Sequence, residues 1–200
     1  MTSKTNDHPA WTAAYLARLG VDNPQSLGAP SLDTLRRLHR AHVELIAFEN
    51  FDIQLGRPQG IDPAESIARI LAGRGGYCFN LNNAFCELLT VLGYDATVHR
   101  GQINGSVATA RATADEYATH MALTVVIDGE RWSVDVGLAN SHHEPIPLRE
   151  GAHVQGPFGL GARRFAHLGR ISSAAPVPSW STPGNRTAPG HHGRPSSTEL

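Results

Sequence analysis

The sequence predicts an α+β chain, with helices first and antiparallel strands after them. Three observations carry this reading. Apolar residues recur at helical spacing as far as Leu92, the period falls to two after Gly93, and Asp128-Gly129 joins two alternating runs as a two-residue turn. The organisation expected is a helical domain over 1–92, a β domain over 93–160 and a basic Pro/Ser/Gly-rich tail over 161–200.

The first helix is read from Trp11, Tyr15, Leu16 and Leu19, with Gly20 as its stop. In the next, Ser31 serves as N-cap for a stripe of Leu32, Leu35, Leu38, His42 and Leu45. A third opens at "DPAESIARIL", where Asp62 caps, Pro63 suits the first helical position and Glu65 completes a box-like pattern. The fourth carries Leu81, Phe85, Leu88, Leu89 and Leu92 on one face and begins at Cys78. "ATVHRGQI" reads as a strand, "NGSVATARATADEYA" as a loop, and "THMALTVVIDGERWSVDVG" as a hairpin. Residues 171–200 hold only Ile171, Val177 and Leu200 as aliphatic residues beyond alanine, too few to offset the entropy of ordering, so the tail is expected to be disordered.

With 17 basic and 18 acidic side chains the net charge is −1, which gives no general attraction to nucleic acid or to an anionic membrane. The N-terminus lacks an apolar leader core and no run is long enough to span a bilayer, so a cytoplasmic chain is expected. Cys78 and Cys86 lie about 12 Å apart along one helix, beyond disulfide reach, and two free thiols suit a reducing compartment. No metal site is expected: His142-His143 and His191-His192 lack partners at ligand spacing and read as exposed loop residues.

Cys78 follows Gly75-Gly76, read as conformationally free glycines that fold the chain back, and it opens a helix whose positive end favours a thiolate. It also falls on the apolar stripe, where a core cysteine would sit. The hairpin weighs against the core reading. With Asp128-Gly129 as the turn, Ile127 faces Glu130, His120 faces Gly137, and Asp135 lies opposite Ala122, diagonal to His120. One face then carries Met121, Leu123, Val125, Ile127, Trp132, Val134 and Val136; the other carries His120, Thr124, Arg131, Ser133 and Asp135, either a solvated face or a site. A carboxylate on one imidazole nitrogen leaves the other to deprotonate a thiol, so Cys78, His120 and Asp135 form a candidate nucleophile, base and orienting acid.

Four blocks in order, "IAFENFDIQLGRP" (Ile46 to Pro58), "RGGYCFNLN", "THMAL" and "WSVDVG", resemble the arylamine N-acetyltransferases. The resemblance is dense from Leu35 to Phe158 and absent beyond Gly161. It implies a helical first domain, a β-barrel second domain, a cysteine-protease-like triad of Cys78, His120 and Asp135, and a third lid domain expected to be missing here. It implies no permanently bound cofactor; acetyl-coenzyme A is a co-substrate, and the acceptor is an arylamine or arylhydrazine. Carried over by position, Phe48, Thr119, Gly137 and Leu138 contact substrate, and Glu49 and Arg74 form a pair bracing the cysteine loop. Asn80 stands where the family has glutamate, and Leu138-Ala139 where it has an aromatic and a glycine; these changes bear on acceptor preference and coenzyme fit. Two other readings share these features: a macrolactam-forming amide synthase of polyketide biosynthesis, and a remnant that only binds ligand.

Overall fold

The computed structural model describes residues 8–57, 60–101, 120–138, 142–155 and 158–162. Thr119, Ala139, the loop read after Ile103, His191-His192 and the tail beyond residue 162 lie outside them. Helix α1 spans Trp11–Arg18, followed by a 3-10 turn at Pro24–Leu27, α2 at Leu32–Leu45, a single turn α3 at Phe51–Gln54, α4 at Pro63–Leu71 and α5 at Cys78–Val91. The strands are β1 Asp95–Gly101, β2 His120–Ile127, β3 Glu130–Ser133, β4 Ile146–Pro147, β5 Gly151–Gln155 and β6 Phe158–Ala162.

The caps act as the sequence predicts. Ser31 Oγ accepts from Thr34 N at 3.2 Å, and Asp62 Oδ1 accepts from Ala64 N at 2.8 Å with Pro63 at the first helical position. Gly93, at φ +88°, ends α5 in the left-handed region that glycine adopts without steric cost. The hairpin also forms as read: Asp128 and Gly129 have φ of 51° and 76°, both positive as a type I′ turn demands, and Ile127 pairs with Glu130.

The sheet is not the closed barrel the resemblance implies. β1 to β4 lie in chain order as an antiparallel sheet, and β5 and β6 form a separate two-stranded one. Closing a barrel requires the first and last strands to pair, with matched tilt and stagger. Among the described residues β1 and β4 do not pair, which leaves two edges.

One core joins helices and sheet. Leu81, Ala84, Phe85, Leu88 and Leu89 of α5 pack with Tyr15, Leu16, Leu35 and Leu38 on one side and with Leu123, Val125, Trp132 and Val134 on the other. Each leucine, valine or phenylalanine among them contributes roughly 1.5–3 kcal/mol. Leu45, placed on the α2 stripe by spacing, is 51% exposed.

Two histidines enter this core. His42 packs against Phe85, with ring centroids 4.8 Å apart, and shares a 2.9 Å hydrogen bond with Tyr15 Oη. His39, fully buried, stacks on His142 at 5.3 Å and 15°. His142 is therefore buried rather than an exposed loop residue, while its neighbour His143 is exposed. Its place in the chain is a loop, but α2 covers it.

Candidate active site

The turn before α5 is fixed by space rather than by backbone freedom. Neither Gly75 nor Gly76 has a positive φ, contrary to the reading from sequence. A Cβ on Gly75 would lie 1.8 Å from the Ala47 carbonyl oxygen, and one on Gly76 would lie 2.7 Å from Asn80 Cβ. The chain is this close because Gly76 N donates to Ala47 O and Glu49 N donates to Gly76 O, a short parallel bridge beside Phe48.

Charge holds the same turn. Glu49 accepts from Arg74 Nε at 3.0 Å, from Arg69 Nη2 at 2.9 Å and from Gly75 N at 3.1 Å. The expected Glu49–Arg74 pair is thus half of a four-member network, for Asp52 accepts from both arginines and Arg69 Nε reaches the Gly75 carbonyl. Hydrogen bonding to Arg74, against the opposing effect of burial, holds the Glu49 carboxyl below its ordinary range. Arg69 and Asp52 could have been found from sequence only through their spacing to Arg74 and Glu49 across a turn.

Cys78 is the first residue of α5 and is 6% exposed. His120, the first residue of β2, bonds Asp135 through Nε2 to Oδ2 at 2.5 Å. The route differs from the one expected. The β2–β3 ladder ends at Thr124 and Ser133, and Gly101 of β1 is the ladder partner of His120. After Val134 N bonds Leu123 O, the chain leaves the sheet, and the Asp135 side chain closes the distance. His120, Thr124 and Asp135 are buried at 5, 6 and 4% exposure, so this end of the polar face is not solvated.

Burial works to deprotonate His120, yet hydrogen bonds to Asp135 and Cys78 and their charges outweigh it, raising the pKa from 6.5 to about 9. Asp135 is the mirror case: burial opposes its ionisation, and bonds from His120, Asn82 and Gly137 N–H hold it below the usual carboxylate range. With Nε2 committed to the carboxylate, Nδ1 is the nitrogen left for the thiol. Gly137 closes the arrangement. A Cβ there would lie 2.7 Å from Cys78 Cα and 2.5 Å from Asn82 Nδ2.

Beside this cluster lies a cavity of about 210 Å³, lined by Leu45, Ile46, Ala47, Phe48, Val136 and Leu138 with Val43 and Glu44. Two of the four residues expected to contact substrate, Phe48 and Leu138, therefore line one cavity. Asn80 lies away from it: its amide donates to Gly60 O and Ser66 Oγ, tying α5 to α4.

The N-acetyltransferase family model matches residues 31–166. An arylamine N-acetyltransferase / N-hydroxyarylamine O-acetyltransferase of Salmonella typhimurium is 34% identical over 148 residues, 73% of this chain and 50% of the relative. The chain belongs to the arylamine N-acetyltransferase family. Proansamycin X synthase of Amycolatopsis mediterranei is 31% identical over 70% of this chain and 54% of its own. The arylamine N-acetyltransferase from Mycobacterium abscessus, a solved structure, superposes with a TM-score of 0.62 at 34% identity, covering 74% of this chain and 50% of that one. The chain spans about half the length of the curated relatives it matches.

The second cysteine is a built-in control. Burial, and then the neighbouring Glu87, push the Cys86 thiol up to about 11 against the opposing bond with Thr90. At neutral pH roughly one such thiol in ten thousand is ionised. Iodoacetamide at neutral pH should label Cys78 first, and peptide mapping that finds Cys86 labelled faster would remove Cys78 from the role of nucleophile.

Proposed function

We propose that this chain transfers acetyl from acetyl-coenzyme A to an arylamine or arylhydrazine nitrogen through a Cys78 thioester. The observation that carries the reading is the buried 2.5 Å hydrogen bond between His120 Nε2 and Asp135 Oδ2, with the imidazole raised to about 9, beside a cysteine at a helix start. In the first half-reaction Cys78 Sγ, its proton taken by His120, attacks the acetyl carbonyl; the tetrahedral adduct expels the coenzyme thiolate, which takes the proton back. In the second, the acceptor nitrogen attacks the thioester while His120 removes its proton, and the Cys78 thiolate leaves. Asp135 stays ionised throughout and holds the ring. No metal is needed for either step.

The acceptor belongs in this cavity, its ring against Phe48 and Leu138. Gly137 lies against the nucleophile, and Thr119 precedes the base in the chain. Among the described residues no helix is long and apolar enough to cross a membrane. An amide-forming synthase is the less favoured reading, since the family model and the solved relative carry acetyltransferase names.

Intact-mass analysis after mixing with acetyl-coenzyme A should show one acetyl adduct, mapped to Cys78, lost in Cys78→Ala and discharged by an added arylamine. A protein that binds the coenzyme and gains no adduct would be a ligand-binding remnant instead.

A further inference from the structure

Three asparagines interrupt the apolar face of α5, at 80, 82 and 83, and all are buried. Asparagine is a poor helix former because its amide competes for backbone bonds, so a buried one in mid-helix needs a cross-element partner. Asn80 and Asn83 find theirs in the segment before α4, at Gly60 O and Ile61 O. Asn82 reaches the opposite way, into the sheet.

Asn82 is fully buried, one turn beyond Cys78. Its Nδ2 donates to Asp135 Oδ1 at 2.9 Å and to the Met121 carbonyl at 2.5 Å, and its Oδ1 accepts from Val136 N at 3.0 Å. This fixes the amide's orientation. A flipped amide would set an oxygen against the Met121 carbonyl and an NH₂ against the Val136 N–H. Gly137 N also donates to Asp135 Oδ1, at 2.9 Å. One carboxylate oxygen is thus held by two donors and the other is left to His120.

Resting on the reading of Cys78, His120 and Asp135 as a triad, we propose that Asn82 is a positioning residue that acts through Asp135. It locks the rotation of the carboxylate, and through it the imidazole, from the same helix that carries the nucleophile. Cys78 and the anchor of its acid are therefore spaced by one rigid turn, whatever the loops do. A hydrophobic side chain at 82 would fill the space but leave the carboxylate free to turn.

The test is single-turnover acylation of Cys78 by acetyl-coenzyme A in Asn82→Ala and in Asn82→Asp, which is near-identical in size. In folded protein the maximal rate should fall about 10²-fold, the scale of a small misplacement of reacting groups. The half-saturating coenzyme concentration should stay within about threefold, because the lesion lies in the acid's orientation rather than in ligand contacts. A purely structural role would lower the melting temperature and leave the rate of the folded fraction alone; that outcome overturns the proposal. If neither variant folds, the unsubstituted protein decides. Its Asn82 side-chain amide resonances should be protected from solvent exchange and should shift when Cys78 is acetylated, and amide resonances blind to acetylation would refute it. Failure of the parent to acylate at Cys78 would sink the triad reading itself, whereas normal acylation in both variants sinks only the role of Asn82.

Discussion

Asp135→Asn should leave the fold intact and slow acylation of Cys78 by about 10⁴, the loss seen when an orienting acid becomes an amide in a comparable triad. The hydrogen bonds dictate why. The site of Oδ1 receives two donors, Asn82 Nδ2 and Gly137 N, so the new amide must place its oxygen there. Its NH₂ then points at His120 Nε2, which must accept rather than donate. The ring proton moves to Nδ1, facing the thiol, and the base is blocked. Pre-steady-state acylation measures the effect, and a rate within a few-fold of the parent would falsify the assignment of all three residues.

The second large effect is on stability. Burial, with His142 beside His39 and His39 beside His42, lowers both pKa values from 6.5 to about 3. Between those values the unfolded chain holds protons that the folded chain does not, so stability rises with pH across the window and is lost as pH falls. Each group contributes a slope of about 1.4 kcal/mol per pH unit. From pH 6.5 to 5 the two together remove roughly 3 kcal/mol, a large share of the total of about 5–15 kcal/mol typical of a domain. His142, also lowered by burial, acts in the same direction; the depressed carboxyls of Asp135, Glu49 and Asp52 add to the loss only below about pH 4. Urea unfolding at pH 7, 6 and 5 should show the slope, and His39→Phe, which still packs on Phe85, should roughly halve it. A flat profile would mean that the buried cluster opens to take up protons.

What could be read from sequence was whatever is local. Ser31 and Asp62 announce caps, the period from Leu81 to Leu92 announces α5, and Asp128-Gly129 sets a register that holds to Ser133. Beyond Ser133 the register arithmetic fails, because alternation of side chains cannot reveal where a strand leaves its ladder. His120 and Asp135 were still brought together, since a diagonal pair needs only the right face and two side chains of sufficient reach. Barrel closure was not legible, because it depends on pairing between strands distant in the chain. Nor was the burial of His39 and His142, or the work of Asn82: each acts on a partner in another element, and nothing within a few residues of any of them marks it.

The contact between Gly137 and Cys78 has a bearing on how the chain comes to be reactive at all. With no room for even a methyl group between them, the sulfur acquires its surroundings only when the end of the sheet has docked onto the start of α5. Gly137 lies far beyond Cys78 in the chain, and such non-local contacts carry a large loop-closure cost and form late in folding. On the proposed role of Cys78, a half-assembled chain would present the thiol without its base, and the rate at which Cys78 is acylated should report whether that docking has occurred.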